Sequence, residues 1–370
     1  AKVYRNGHFE SASIEFDSHI RSFSPGEGMD ACGAYIIPGL IDVHTHGAMG
    51  IDASDCTAEQ IHHLAQFYSD NGVTSFCFTT LTVPADELRG AMKNIRAYER
   101  FGGEAKCTGV HLEGPFVSRG KCGAQNPDNI LKPDIALFNE LNELSGGMVR
   151  LITVAPEVEG ALDFIREASK VCTVSLGHST ADYDQAMAGF EAGATHVTHL
   201  FNGMEPFHHR KPGLVGAALT AGANVELICD GVHIHPAMIL AVHKMFGDRL
   251  IIVSDSLRCA GLCDGRYNLG GLPMIVRAGR ATLLDGTIAG SSSNLLQELR
   301  NVVSYGVPLE AAVKSMTETP AKDIGVFDSI GSLETGKCAD FLVLNKELKL
   351  MATFIDGKLV NGTTDFESVK

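Results

Sequence analysis

No apolar run in this 370-residue chain is long enough to cross a bilayer; each is broken by Gly, Asp or Pro, whereas a helical span takes about twenty residues. Basic blocks, repeats and low-complexity stretches are also absent. The first residues, AKVYRNGHFESASIEF, lack the basic start and apolar stretch of a signal peptide. Ten cysteines are scattered along the chain with no C-x-x-C pair; Cys259 and Cys263 come closest. Scattered cysteines in a large chain read as reduced, mostly buried thiols and point to the cytoplasm. Positive charge is short as well: 30 Lys and Arg against 44 Asp and Glu leave a net charge of −14. Such a balance disfavours nucleic acid or an anionic membrane as partner. An anionic substrate would have to meet a local basic patch. What remains is ordinary for a globular protein, with 45% apolar and 20% charged residues. The length predicts one large domain and a smaller one.

Short β-branched runs alternate with helix-like segments. The expected strands are GLIDVH (39–44), TSFCFTT (74–80), TGVHLE (108–113), RLITVAP (150–156), CTVSLGH (172–178), THVTHL (195–200), VELICDG (225–231) and LIIVSDS (250–256). Between them lie segments of helical period such as AEQIHHLAQFYSDNG, ADELRGAMKNIRAYER, EGALDFIREASK and DYDQAMAGFEAG. Strand and helix repeated eight times predict an α/β fold, a closed (β/α)8 barrel of the TIM type. The weakest repeat lies between strands six and seven, where NGMEPFHHRKPG replaces part of a helix.

Polar residues stand where these strands stop. His44 and His46 end the first, Glu113 the third, His178 the fifth and His199 the sixth; Asp230 and His233 follow the seventh, and Asp255 ends the eighth. In such a barrel the C-terminal strand ends converge on one mouth, where catalysis takes place. A single histidine there could be a capped or satisfied core group, but repetition at six strand ends makes coincidence a poor account. Residues i and i+2 share a strand face, so His44 and His46 point into one space. Imidazoles and carboxylates without clustered cysteine suit a divalent ion: Zn²⁺ first, with Fe²⁺, Mn²⁺ or Co²⁺ as alternatives. An ion at a barrel mouth points to hydrolysis, because it acidifies water and polarises a carbonyl. Asp255 suits the proton-transfer role.

The segments PGLIDVHTHG, HLEGPF, GHST, THLFNGM, DGVH and the SDS at 254–256 resemble the amidohydrolase superfamily and, within it, the N-acetylglucosamine-6-phosphate deacetylase family. With YNLGG (267–271), DGTIAGSSSNL (285–295) and TPAKDIG (319–325), the resemblance spans nearly the whole chain. It implies a barrel joined to a small β-sandwich built from both chain ends, here 1–38 plus 332–370, with the barrel at 39–331. The alternating patterns at both ends agree with that division.

The resemblance further implies that Glu113, His178 and His199 hold a central ion and that Asp255 is the catalytic acid/base. Members that lose the H-x-H histidines use one ion. This chain keeps both, which allows a second ion on His44 and His46, with Glu113 bridging and Asp255 nearby. Asn202, Gly203, Arg210 and His233 match positions that hold the phosphate. Ala124 and Gln125 match the loop that meets the sugar and the acetyl oxygen. Ile288, Ala289 and Gly290 should line the sugar pocket through backbone groups. Arginine grips phosphate bidentately, and HHRK (208–211) is the dense basic cluster near a strand end. In related proteins this loop reaches across a dimer, so Arg210 serves either its own or a neighbouring subunit. Many members have histidine where this chain has Gln125, which donates a hydrogen bond but carries no charge. A second ion would supply the missing polarising contact.

The implied reaction is hydrolysis of N-acetylglucosamine 6-phosphate to glucosamine 6-phosphate and acetate, in a cytoplasmic homodimer serving amino-sugar metabolism. The galacto epimer is the alternative substrate. His178 and His199 are expected as neutral ligands, each oriented by a further partner. The fourth strand, RLITVAPE, ends without the lysine that a carbamylated bridge would use, which speaks against a dihydroorotase-like ring opener. His62 and His63 read as surface residues, and Cys259 and Cys263 as small buried side chains.

Overall fold

The computed structural model describes residues 1–25, 31 and 33–364. Eight parallel strands pair in chain order: β1 Leu40–Thr45, β2 Val73–Thr80, β3 Lys106–Glu113, β4 Val149–Val154, β5 Thr173–Leu176, β6 His196–Val197, β7 Asn224–Ile228 and β8 Leu250–Val253. Each falls on an expected segment, though β6 is only two residues long. The ring closes at its mouth. The Asp255 amide donates to the His44 carbonyl (2.9 Å), and the His46 amide to the Ser256 carbonyl (2.8 Å).

Alternation along the strands sorts the two faces. Phe76, Phe78, Val110, Leu112, Ile152, Val154, Val174 and Leu176 join the large apolar core under the outer helices. Those helices present matching stripes; in Ala58–Asp70 the buried set includes Ile61, Leu64, Ala65 and Tyr68, and Thr57 and Gln60 form a capping box at its start. The residues of opposite parity, Ile41, Val43, Cys77, Ile228, Ile251 and Val253, form a separate cluster with Ala321, Ile324 and Ile330. On β3 to β7 the interior is polar. His111, Thr153, Ser175, His196, Thr198 and Glu226 are all buried, and Thr153 and Thr198 share a hydrogen bond of 2.7 Å.

Helix Glu318–Asp323, within the TPAKDIG segment, lies under the barrel at the strand starts. Thr173 Oγ1 donates to the Asp323 carbonyl (2.6 Å), and the Ile41 amide to the Met316 carbonyl (2.9 Å). Between β6 and β7 an irregular stretch precedes the nine-residue helix Gly213–Ala221, as expected there. Three antiparallel strands after β8, Gly265–Leu269, Leu272–Arg277 and Arg280–Leu283, were not expected. They return the chain to the mouth through bridges from Thr282 to Ile288 and from Ser256 to Ser291.

Both chain ends build the small domain. Its six-stranded sheet runs His8–Ser11, Lys2–Arg5, Tyr35–Pro38, Phe341–Leu344, Leu350–Ile355, Lys358–Gly362. The hairpin Ser13–Phe16 with Ile20–Ser24 covers one face, burying Val3, Ile20, Phe341, Val343 and Phe354 beside Ile14, Phe16 and Phe23. The fold is thus a (β/α)8 barrel with a small β-sandwich drawn from both termini. Residues 365–370 of the expected terminal segment, and Cys32, lie outside the described residues.

Behind the loop that follows Glu113, Phe164 wedges edge-on against Phe116 (4.9 Å between centroids) and Phe138 (5.7 Å). Phe164→Ala is expected to cost about 3–5 kcal/mol, read as a lower urea midpoint with an unchanged slope.

Candidate active site

His178, His199 and Asp255 stand two residues beyond the ends of β5, β6 and β8. All three adopt left-handed backbone, with φ of 46°, 25° and 47°. That region suits glycine and strains other residues by about 1–3 kcal/mol each. The strain identifies the side chain, not the turn, as what these positions require.

The five predicted ligand side chains and Asp255 converge. Glu113 Oε1 lies 3.0 Å from His178 Nε2 and 2.9 Å from His199 Nε2. Its other oxygen lies 3.2 Å from His46 Nε2. Asp255 Oδ1 is 3.2 Å from His46 Nε2 and 3.4 Å from His44 Nε2. Two donor triads result, Glu113–His178–His199 and His44–His46–Glu113, each with its ligand atoms within 4.8 Å of one another. Glu113 belongs to both: Oε1 faces His178, His199 and, at 3.5 Å, His44, and the other oxygen faces His46.

The opposite edges of the rings decide which nitrogen is free. His44 Nδ1 meets Glu226 Oε2 at 2.8 Å, His46 Nδ1 the Thr79 carbonyl at 3.1 Å, and His178 Nδ1 the Lys121 carbonyl at 2.9 Å. All three partners are pure acceptors, so each Nδ1 carries the proton and each Nε2 lone pair faces the centre. His199 departs from the expectation of an orienting partner: its Nδ1 has none among the described residues, and its place is fixed instead through its amide, which donates to Glu226 Oε2 at 3.1 Å. Nε2 atoms of His178 and His199 sit 3.1 Å apart, as do those of His44 and His46 at 3.3 Å. Lone pairs facing at such distances call for a cation between them, and the set of N and O donors fits a divalent ion. A third grouping, His44–His111–Glu226, is already closed by the His44–Glu226 hydrogen bond.

Electrostatics agree. Burial disfavours the charged form of His46, but Asp255 and Glu113 outweigh it and hold the ring up at about 9. His44 and His178 are likewise raised against the effect of burial, by Glu226 and Glu113 respectively. Burial pushes Glu113 and Asp255 up, yet the surrounding imidazoles hold both below the usual carboxylate range. Without ions, protons on the Nε2 atoms of His44, His46 and His178 balance the buried carboxylates.

Above the centre opens a cavity of about 330 Å³ lined by Ala124, Gln125, Asn202, Gly203, His233, Ile288, Ala289 and Gly290 together with the ligands. Gln125 donates to Glu113 Oε2 (2.8 Å) and accepts from the Thr82 amide (2.6 Å). His233 is pinned between Asp230 Oδ2 and the Ala289 carbonyl, both at 2.8 Å. Gly290 is tied to its size, since a Cβ there would lie 2.5 Å from the Asp255 carbonyl oxygen.

Arg210 is not brought to this cavity. It is exposed, bonded to His209 (2.8 Å), and lines a separate surface cavity of about 700 Å³. Cys259 is buried but Cys263 is exposed, and neither lines the 330 Å³ cavity. His62, expected at the surface, is instead partly buried, stacked on Phe101 and bonded to Glu104 (3.0 Å). Glu226 was missed. Its signal was a charge inside the apolar run VELIC.

A family model described as the amidohydrolase family matches residues 35–360. The chain belongs to the amidohydrolase family. Within it, the chain is 36% identical over 332 residues to the N-acetylglucosamine-6-phosphate deacetylase of Bacillus subtilis, covering 88% of this chain and 84% of the relative. It is 36% identical over 330 residues to the N-acetylgalactosamine-6-phosphate deacetylase of Escherichia coli O157:H7, covering 88% of each. Among solved structures, a point mutant of the Mycobacterium smegmatis N-acetyl-D-glucosamine-6-phosphate deacetylase, in complex with N-acetyl-D-glucosamine-6-phosphate, superposes with a TM-score of 0.90 at 31% identity over 98% of both chains.

Ion binding must displace the histidine protons. His46 is protonated up to about pH 9, so ion affinity should rise with pH and level off above about 9. Calorimetry at pH 7 in buffers of different ionisation enthalpy should show net proton release. The ion-free protein behaves oppositely: a raised histidine pKa stabilises below the unfolded value, and that contribution fades as pH rises through 9. Its Tm should therefore fall over that interval.

Proposed function

We propose that the protein hydrolyses the N-acetyl amide of N-acetylglucosamine 6-phosphate, giving acetate and glucosamine 6-phosphate. The observation that carries this reading is Glu113 shared between two donor triads, with Asp255 beside both β1 histidines, on the floor of a cavity of about 330 Å³. Glu113, His178 and His199 would hold one ion and His44, His46 and Glu113 a second, zinc being the best match to the donors. Ions there supply polarisation of the acetyl carbonyl and acidification of water. Asp255 takes the proton from that water on its carboxylate and delivers it to the leaving nitrogen. Gln125 orients Glu113 and offers no charge of its own.

Among the described residues, no lysine or arginine lines the cavity. A phosphate therefore finds His233, Asn202 and Gly203 in one chain and needs a cation from elsewhere. The exposed Arg210 suits that role in a second copy, which supports a homodimer. Among the described residues no helix is long and apolar enough to cross a membrane. Nine described cysteines are free, which supports the cytoplasm. The galacto epimer stands as a second reading, because relatives named for each epimer are 36% identical to this chain.

Acetate release from both epimeric N-acetylhexosamine 6-phosphates decides the substrate; release from neither would end the reading. Asp255→Asn should lower kcat/KM by about 10²–10⁴-fold while the ion on Glu113, His178 and His199 stays bound. Near-normal turnover would remove Asp255 from its role. His44→Ala should reduce bound metal from two equivalents to one, and unchanged metal content would refute the two-ion reading.

A further inference from the structure

We propose that Asp323, His196 and Glu226 form a buried relay that fixes His44 as a ligand, so that Asp323 is a positioning residue acting from the opposite end of the barrel. This rests on the two-ion reading above. The chain of contacts is continuous. His44 Nδ1 is hydrogen-bonded to Glu226 Oε2 at 2.8 Å and His196 Nδ1 to Asp323 Oδ2 at 2.8 Å, while Glu226 Oε1 and His196 Nε2 meet as an ion pair at 3.2 Å without hydrogen-bond geometry. Asp323 Oδ1 then accepts from Asn224 Nδ2 at 2.7 Å. The side chains of His44, Glu226 and His196 are fully buried, and that of Asp323 is 2% exposed.

Acid and base alternate along this line, which explains why each member is tolerated in the interior. A lone carboxylate beside His44 would be a costly buried charge. His196 neutralises Glu226 from its far side and, held by a carboxylate on each nitrogen, has one orientation open to it. Asp323 supplies the second of those carboxylates. It sits on helix Glu318–Asp323, in the TPAKDIG segment, far along the chain from every ligand. Glu226 in turn keeps the His44 proton on Nδ1 and its Nε2 lone pair aimed at the centre. Carboxylate partners of this kind raise the basicity of a ligating histidine. An asparagine at 323 would set an NH2 group against one of the two donors, His196 Nδ1 and Asn224 Nδ2, that now meet separate oxygens.

The relay touches the ring of His44 but not the rings of His178 or His199. A mere packing role for Asp323 would weaken the fold, or both ions alike. The test is equilibrium dialysis with Zn²⁺, following both ions in wild type, Asp323→Asn, Asp323→Glu and Glu226→Gln, with Tm measured alongside. Asp323→Asn should weaken the ion on His44 and His46 about 10-fold and leave the other ion unchanged, whereas Glu226→Gln, whose site also receives the His199 amide, should weaken the His44 ion up to about 100-fold and the other ion less. Asp323→Glu should recover part of the loss. Equal loss of both ions, or no loss, in the folded Asp323→Asn protein overturns the relay. Should that variant not fold, Glu226→Gln decides by whether the ion on His44 and His46 suffers the larger loss; equal loss of both ions overturns the relay. A wild type that binds a single ion overturns the two-ion reading itself.

Discussion

The carboxylate of Glu113 is buried with four imidazole nitrogens within 3.5 Å and a second carboxylate, Asp255, on the same histidines. No arrangement of neutral groups satisfies that cluster. The Nε2 atoms of His44, His46 and His178 face its centre as lone pairs once their Nδ1 atoms are committed to acceptors, and its carboxylates have been taken out of water. Either protons or metal ions must occupy the middle. The raised histidines and lowered carboxylates express the first alternative, and the geometry of two triads on one shared carboxylate favours the second. Desolvation in the barrel makes the neutralising charge indispensable, because an unpaired buried carboxylate is far costlier than an exposed one.

The barrel holds this cluster at some cost to its own regularity. Its strands stop early on the side of β5, β6 and β8, and the residues that matter stand in left-handed backbone just past those ends. Closure of the ring depends on the same residues, since the Asp255 amide bonds the His44 carbonyl. Site and fold therefore share hydrogen bonds at the mouth. Inside, the usual aliphatic filling is gathered on the side of β8, β1 and β2 with Ile228 at the end of β7, and a polar network replaces it elsewhere. Such a network is stable only when its members are compensated, and acid alternating with base from Asp323 to His44 pairs each charge in the deepest part, by hydrogen bonds at its two ends and by an ion-pair contact between His196 and Glu226.

Much of this was legible in the sequence. Eight β-branched runs, six of them closed by His, Glu or Asp, read directly as a barrel with a site at its mouth, because strand ends in that fold converge. Glu226, His196 and Asp323 were not legible, although each is a charged or titratable residue in an otherwise unremarkable strand or helix. Their partners lie 182, 30 and 127 positions away in the contacts His44–Glu226, Glu226–His196 and His196–Asp323, and no local periodicity encodes such pairings. The excursion at 265–283 was hidden for a different reason: its strands follow the eighth barrel strand, where the repeat predicts a helix. Arg210 shows the converse limit, its expected place in its own or a neighbouring subunit having been left open. Its neighbourhood in sequence, beside Asn202 and Gly203, does not carry it into their cavity.

His233 exposes how the cavity is poised for an anion. Both ring nitrogens are engaged, one by the Asp230 carboxylate and one by the Ala289 carbonyl. Two acceptors on one imidazole call for two N–H donors, and although burial opposes charge there, Asp230 raises the ring above its usual range. Of the two contacts, the one to Ala289 is to a neutral carbonyl. A phosphate oxygen is a stronger acceptor for a charged donor, so an incoming phosphate competes for that N–H on favourable terms. The released carbonyl belongs to the segment Ile288–Gly290, which is held by the Ala289 amide on the Ala281 carbonyl and the Ser291 amide on the Asp255 carbonyl. Freeing Ala289 from His233 thus leaves the segment anchored while turning one acceptor toward the sugar. If the proposed substrate binds here, one exchange of hydrogen bonds would thus couple its anionic end to its hydroxyl groups.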